Sequence, residues 1–119
     1  FAPRVNLVVL RVADIDRAAA FYQLLGFAFV KHAHGTGPQH YASEANGFVF
    51  ELYPATADQC VSSSARIGFA VENVDEAAAK LGSFSGAHLV SAPKDLNGVV
   101  AQSSLTQTDI ALNLFQWLA

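Results

Sequence analysis

Three of the chain's four histidines, His32, His34 and His40, fall in one run, KHAHGTGPQHY, where side chains able to do chemistry are most concentrated. His32 and His34 are two apart, so on an extended strand they share a face, a spacing that suits a metal ion or a proton-handling pair. The GTGP segment at 35–38 supplies turn residues, so a hairpin brings His40 back towards them. Histidines merely solvated at a hairpin tip are the ordinary alternative. Further along, GFVFELYP places Glu51 and Tyr53 on one strand face by alternation. A carboxylate on an inner strand face is costly to bury without a cation, hydrogen bonds or a ligand. Tyr41, Tyr53, Phe115 and Trp117 are large enough to line a concavity and grip a flat or apolar molecule, although the last two equally suit packing or a chain contact.

Other chemistries find little support. The glycine-rich run lies between two strands with no helix N-terminus or P-loop lysine after it, so it does not read as a phosphate cradle. Ser62, Ser63 and Ser64 sit in a polar stretch, no G-x-S-x-G elbow occurs, and Cys60 has no basic residue near it in sequence. As the single cysteine, Cys60 also excludes an internal disulfide and a cysteine-built metal cage. No catalytic residue is assigned.

The elements that must position these residues occur twice. Sliding Leu7–Ala20 (LVVLRVADIDRAAA) by 59 positions lays it over Arg66–Ala79 (RIGFAVENVDEAAA), with Val12/Val71, Asp16/Asp75 and three alanines coinciding. Each copy changes from strand-like to helix-like periodicity at the same point. Helices are expected over about 15–25 and 74–81, with Asp14 as one N-cap, Asn73 and Glu76 as a capping box, and Gly26 and Gly82 as stops. Strands are expected at Phe27–His34, Gln39–Ala45 and Gly47–Tyr53, then at Ala87–Ala92, Val99–Ser104 and Asp109–Gln116, with turns at Asn46-Gly47 and Asn97-Gly98. The class is α+β, built from two βαβββ modules: about 1–56, a linker of about 57–64, and about 65–119 within one domain. In the first strand Val8, Leu10 and Val12 should floor the helix, leaving Leu7, Val9 and Arg11 on the open side.

Charged residues make up 14% of the 119 residues and apolar ones 52%, against a usual charged share of about 25%. Such an excess points to apolar surface covered by a second copy, hence a homodimer. A net charge of −3 without a basic run argues against nucleic acid and anionic membrane surfaces as partners. Apolar stretches break within about ten residues, short of the ~20 needed to span a bilayer. With no secretory pattern at its start, the chain is expected to be cytoplasmic.

Three segments, VVLRVADIDRAAAFYQLLGF, GFVFELYP and IGFAVENVDEAAAKLG, resemble the vicinal oxygen chelate superfamily of glyoxalases, bleomycin-resistance proteins and extradiol dioxygenases. The resemblance spans essentially the whole chain. It implies two βαβββ modules whose sheets curl into a cup that holds a small molecule, usually with dimerisation. It also implies metal ligands on the first and last strand of each module, at Leu7, Glu51, Arg66 and Asn113. Only Glu51 is an ordinary ligand: leucine has no donor, arginine repels a divalent ion, and an asparagine amide binds transition metals weakly. The chain also departs from the family before its last strand, where Thr106-Gln107-Thr108-Asp109-Ile110 replaces an Asp-Pro-Asp-Gly-Asn turn. HGTGPQHY resembles a string in a sub-group without an assigned activity.

Three functions are therefore open. The first is a metal-free protein that binds a small organic molecule in the cup through Glu51, Arg66, Tyr53, His40, Tyr41 and Asn113. In it Arg66 stands in for the metal and pairs with Glu51. The second is a lyase or isomerase with a divalent metal on a non-standard set of Glu51 and His40, His32 or His34. The third is a domain devoted to self-association or to another protein.

Overall fold

The computed structural model describes residues 2–63, 65–85, 87–91, 99–105 and 110–116, with side chains beyond Ala87 described only at Leu114. The elements run β1 (Leu7–Val12), α1 (Ile15–Gln23), β2 (Val30–His32), β3 (His40–Ala45), β4 (Phe48–Pro54), β5 (Arg66–Val71), α2 (Val74–Gly82), β6 (Ala87–Ser91), β7 (Val99–Leu105) and β8 (Ile110–Gln116). They form two compact units, Phe1–Val61 and Ser62–Ala119. Each unit is a βαβββ module with one mixed sheet, ordered β1-β4-β3-β2 in the first and β5-β8-β7-β6 in the second. The α+β class and its doubled module are thus as the sequence predicts.

Capping chemistry sets where the helices start. The Asp14 carboxylate accepts the Arg17 amide N–H at 3.1 Å, and the Asn73 side chain accepts that of Glu76 at 3.0 Å. The Glu76 carboxylate pairs with Lys80 Nζ, 3.1 Å away one turn on. Helix α1 ends at Gln23, two residues short of expectation; Leu24 caps it and Gly26 takes φ +107°. Helix α2 corrects a second boundary. Gly82 is its last helical residue rather than its stop, and Ser83 caps it, its hydroxyl donating to the Lys80 carbonyl at 2.8 Å.

In the first unit, Ala18, Ala19, Phe21 and Tyr22 are buried on α1, and Leu10, Val12, Phe50, Leu52 and Ser43 are buried on the strands. Parallel pairing sets Val8 beside Phe50 and Leu10 beside Leu52, and antiparallel pairing sets Ser43 beside Phe50 and Tyr41 beside Leu52. One face of the sheet is therefore the floor of α1. Tyr22 meets Phe50 edge-on at 4.9 Å and Phe21 at 5.2 Å, and burial pushes the Tyr22 phenol above its usual range. In the second unit, Val74, Ala77, Ala78 and Leu81 recur at helical spacing and are buried, as is Leu114 on β8.

Strand β2 is shorter than the expected Phe27–His34. Phe27 and Phe29 turn to the helix side and pack on Phe50, with centroids 5.1 and 5.9 Å away, and only Val30, Lys31 and His32 pair with β3. Asn46 and Gly47 take φ 55° and 78°, a turn whose twist matches the hairpin it closes. The turns at 97–98 and 106–109 lie outside the described residues.

Candidate functional site

The face of the first sheet opposite α1 carries the chemistry, and strand register arranges it in rows. Strand pairing sets Arg11 beside Tyr53, and His32 beside His40. Continuing the β3–β4 register by one step sets His40 beside Tyr53, so one row crosses all four strands as Arg11, Tyr53, His40 and His32. The next row is Val9, Glu51, Ala42 and Val30. Glu51 is thus the acid of an otherwise apolar row, next to a polar one.

The polar row is a stack. Tyr53 and His40 lie parallel, 4.2 Å apart at 5°, and the Arg11 guanidinium carbon lies 4.7 Å from the Tyr53 centroid. His32 and His34 follow, with centroids 5.7 and 5.2 Å from His40 and 6.1 Å from each other. His40 is 2% exposed, whereas His32 and His34 are open to solvent. His40 Nε2 lies 3.7 Å from a Glu51 carboxylate oxygen, and its Nδ1 lies 3.4 Å from the Pro38 carbonyl. The two ring nitrogens thus face two different oxygens.

Of the expected site residues, the structure brings His32, His34, His40, Glu51 and Tyr53 together. Tyr41 does not join them, contrary to the expectation that it lines the concavity. Alternation turns it to the α1 side, where its hydroxyl donates to Asp16 at 2.6 Å. Arg66 and Asn113 belong to the second unit, Arg66 exposed at the start of β5 beside Ala111 and Asn113 on β8 beside Gly68. The side chains of Asn113 and Phe115, and all of Trp117, lie outside the described residues. Alternation puts Arg11 on the open side with Leu7 and Val9, as expected, but sequence reading gives it no site role; its place beside Tyr53 comes from the β1–β4 register.

Internal symmetry bears on the metal. Leu7 pairs with Val49 as Arg66 pairs with Ala111, and Val9 with Glu51 as Gly68 with Asn113. Leu7 and Arg66 are therefore equivalent positions, as are Glu51 and Asn113. Of these four residues only Glu51 carries an ordinary metal donor, leucine having none and arginine a fixed positive charge. Among the described residues, no group of three or more His, Cys, Asp or Glu converges to hold an ion. His32 and His34 lie within 8° of parallel and both lie within 34° of the His40 plane, so the rings turn faces rather than lone pairs to one another.

On the helix side, Tyr41, then Lys31 with its Nζ at 3.1 Å, hold the Asp16 carboxyl below its usual range. Asp16 in turn raises Tyr41 and Lys31. A depressed carboxylate contributes stability above its unfolded value of about 3.8 that is lost as pH falls through the folded value. Raised Tyr41 and Lys31 contribute stability that is lost as pH rises beyond about 10. We expect carboxyl NMR to place the Asp16 midpoint below 3.8 and Tyr41→Phe to move it upwards; an unmoved midpoint would show that the hydroxyl does not hold the carboxylate.

Two βαβββ modules with the same strand order, each a four-stranded mixed sheet with one helix, define the class of protein. The chain belongs to the Glyoxalase/Bleomycin resistance protein/Dioxygenase superfamily, whose family model matches residues 4–96. Among solved structures it is similar to TnmS3, an antibiotic-binding protein from Streptomyces sp. CB03234, at 21% identity and TM-score 0.68, covering 97% of this chain and 96% of that one. It is likewise similar to a glyoxalase/bleomycin resistance protein from Albidiferax ferrireducens T118, at 17% identity and TM-score 0.69 over 92% and 97% of the two chains. A possible glyoxalase from Bacillus cereus matches at 18% identity and TM-score 0.67 over 96% and 99%. No curated protein matches the sequence.

Proposed function

We propose that the chain binds a small organic molecule on the open face of its first sheet, around Glu51, without the metal ion of the family's chelating members. The carrying observation is the Glu51 carboxylate itself. Its side chain is 20% exposed, set in a row with Val9, Ala42 and Val30, with His40 3.7 Å away. A carboxylate so placed gains from a ligand that covers the apolar row and hydrogen-bonds the acid. The similarity to an antibiotic-binding protein supports the binding reading.

Native mass spectrometry of protein purified without a metal-affinity tag is expected to show a co-purified organic molecule that Glu51→Leu loses, with no stoichiometric metal. A metal bound one per chain and lost in Glu51→Leu would overturn the metal-free reading. Among the described residues, no helix is long and apolar enough to cross a membrane.

The binding protein is proposed to act as a cytoplasmic homodimer, in keeping with its 52% apolar content and the exposed Val5, 73% accessible. Light scattering at micromolar concentration is expected to give twice 12.6 kDa, and the 12.6 kDa species alone would overturn the dimer.

A further inference from the structure

The row that holds Glu51 narrows the chemistry of the ligand. It reads Val9, Glu51, Ala42 and Val30 across the four strands, and its apolar members bring no side-chain donor to the carboxylate. The imidazole that faces Glu51, that of His40, stands 3.7 Å from a carboxylate oxygen, beyond a direct hydrogen bond. The Glu51 side chain is nevertheless shielded, at 20% exposure. An ionised carboxylate only accepts hydrogen bonds, so a molecule that covers it must bring a donor.

The next row along the strands is Leu7, Val49 and Glu44, set by the β1–β4 and β3–β4 registers. Glu44 therefore stands on the same face, exposed and diagonal to Glu51, a separation that long side chains span. Of the Asp, Glu, Lys and Arg residues on the strands of this face, two are carboxylates, Glu51 and Glu44. One is a guanidinium, Arg11, which lies over the Tyr53 ring at 4.7 Å. That balance favours a positive ligand. Around the carboxylates, Leu7, Val9 and Val30 present apolar surface, 50%, 38% and 58% accessible. Such surface rewards an organic cation, whereas a metal ion gains nothing from it.

We infer, resting on the binding role above, that the ligand of this face is an amphiphilic amine. Its ammonium donates to Glu51, with the Glu44 charge beside it, and its apolar body lies on Leu7, Val9 and Val30. A charged donor on a charged acceptor makes the stronger kind of hydrogen bond, and the covering body removes the water that would weaken it. Glu51 thus sets the polarity of the ligand, and the valines and Leu7 set its bulk.

The experiment titrates the full chain, 15N-labelled, with 4-phenylbutylamine, 4-phenylbutan-1-ol and 4-phenylbutyrate, which share one apolar body, at about pH 7 and constant ionic strength. The amine is expected to shift backbone amides of β1, β3 and β4 around Val9, Ala42 and Glu51. It should bind at least about tenfold more tightly than the alcohol, with the carboxylate weaker than both. Glu51→Gln should bring the amine down to the affinity of the alcohol and leave the alcohol unmoved. Glu44→Gln, at an exposed position, should weaken the amine only about twofold, and less at high salt. The ratio of amine to alcohol affinity in the unaltered protein decides the case even where Glu51→Gln does not fold. Equal affinity for amine and alcohol, or an amine affinity unmoved by Glu51→Gln, overturns the ammonium assignment while leaving small-molecule binding on this face intact. Tighter binding of the carboxylate, or amine shifts confined to Asp58, Asp75 and Glu76, overturns it as well. If none of the three binds, the amine class is overturned, and the mass-spectrometric measurement decides the binding role separately.

Discussion

Phe50→Ala is expected to lower the unfolding free energy by about 3–5 kcal/mol, read from urea denaturation midpoints. Phe50 is 1% exposed and its ring meets Tyr22 at 4.9 Å, Phe27 at 5.1 Å and Phe29 at 5.9 Å. Removing it opens a cavity where α1, the segment before β2, and β4 converge, and neighbours held by backbone pairing close it only in part. Against a total stability of roughly 5–15 kcal/mol, that is a large fraction. Phe50→Leu, which keeps most of the volume, should cost less than half as much. A loss under about 1 kcal/mol for the alanine variant would mean that the aromatic cluster is not what holds the first unit together.

The second large effect falls on His40. Replacing it with alanine removes a ring 2% exposed that lies against Tyr53 and faces Glu51, and should cost about 2 kcal/mol. His40→Phe keeps the stack but not the partner of the carboxylate, and should cost about 1 kcal/mol, since Glu51 still reaches water. In a Glu51→Gln background the His40→Phe cost should nearly vanish. Denaturation of all four members of that cycle measures the coupling, and equal costs in both backgrounds would show that the carboxylate and the imidazole do not interact.

The elements were legible because they rest on local chemistry. The offset of 59 that aligns Leu7–Ala20 with Arg66–Ala79 also relates β1 to β5 and α1 to α2, residue for residue. Asp14 and Asn73 cap as their types suggest. Boundaries were less legible where tertiary packing overrode pattern. Phe27 and Phe29 look like strand residues by alternation, yet their rings serve Phe50, and the strand starts after them. The candidate site was legible in its histidines and Glu51, because alternation places them without knowledge of partners. Tyr41 was misplaced because its neighbour His40 made the whole run look like one site, whereas adjacent strand residues point to opposite faces. The open-side position of Arg11 was legible from alternation but its partner was not, because Tyr53, 42 positions away, becomes its neighbour only through β1–β4 pairing.

The two outer strands of the first sheet are protected unequally against joining foreign strands. Strand β2 spans three residues and carries Lys31 and His32, features that discourage further pairing. Strand β1 is LVVLRV, six residues without proline, with Leu7 and Val9 accessible. A segment of that composition is a nucleus for intermolecular β-structure whenever the unit opens, and Arg11 is its sole charge. The guanidinium that stacks on Tyr53 thus also serves as the gatekeeper of this strand, so a neutral residue at position 11 would cost solubility as well as the stack.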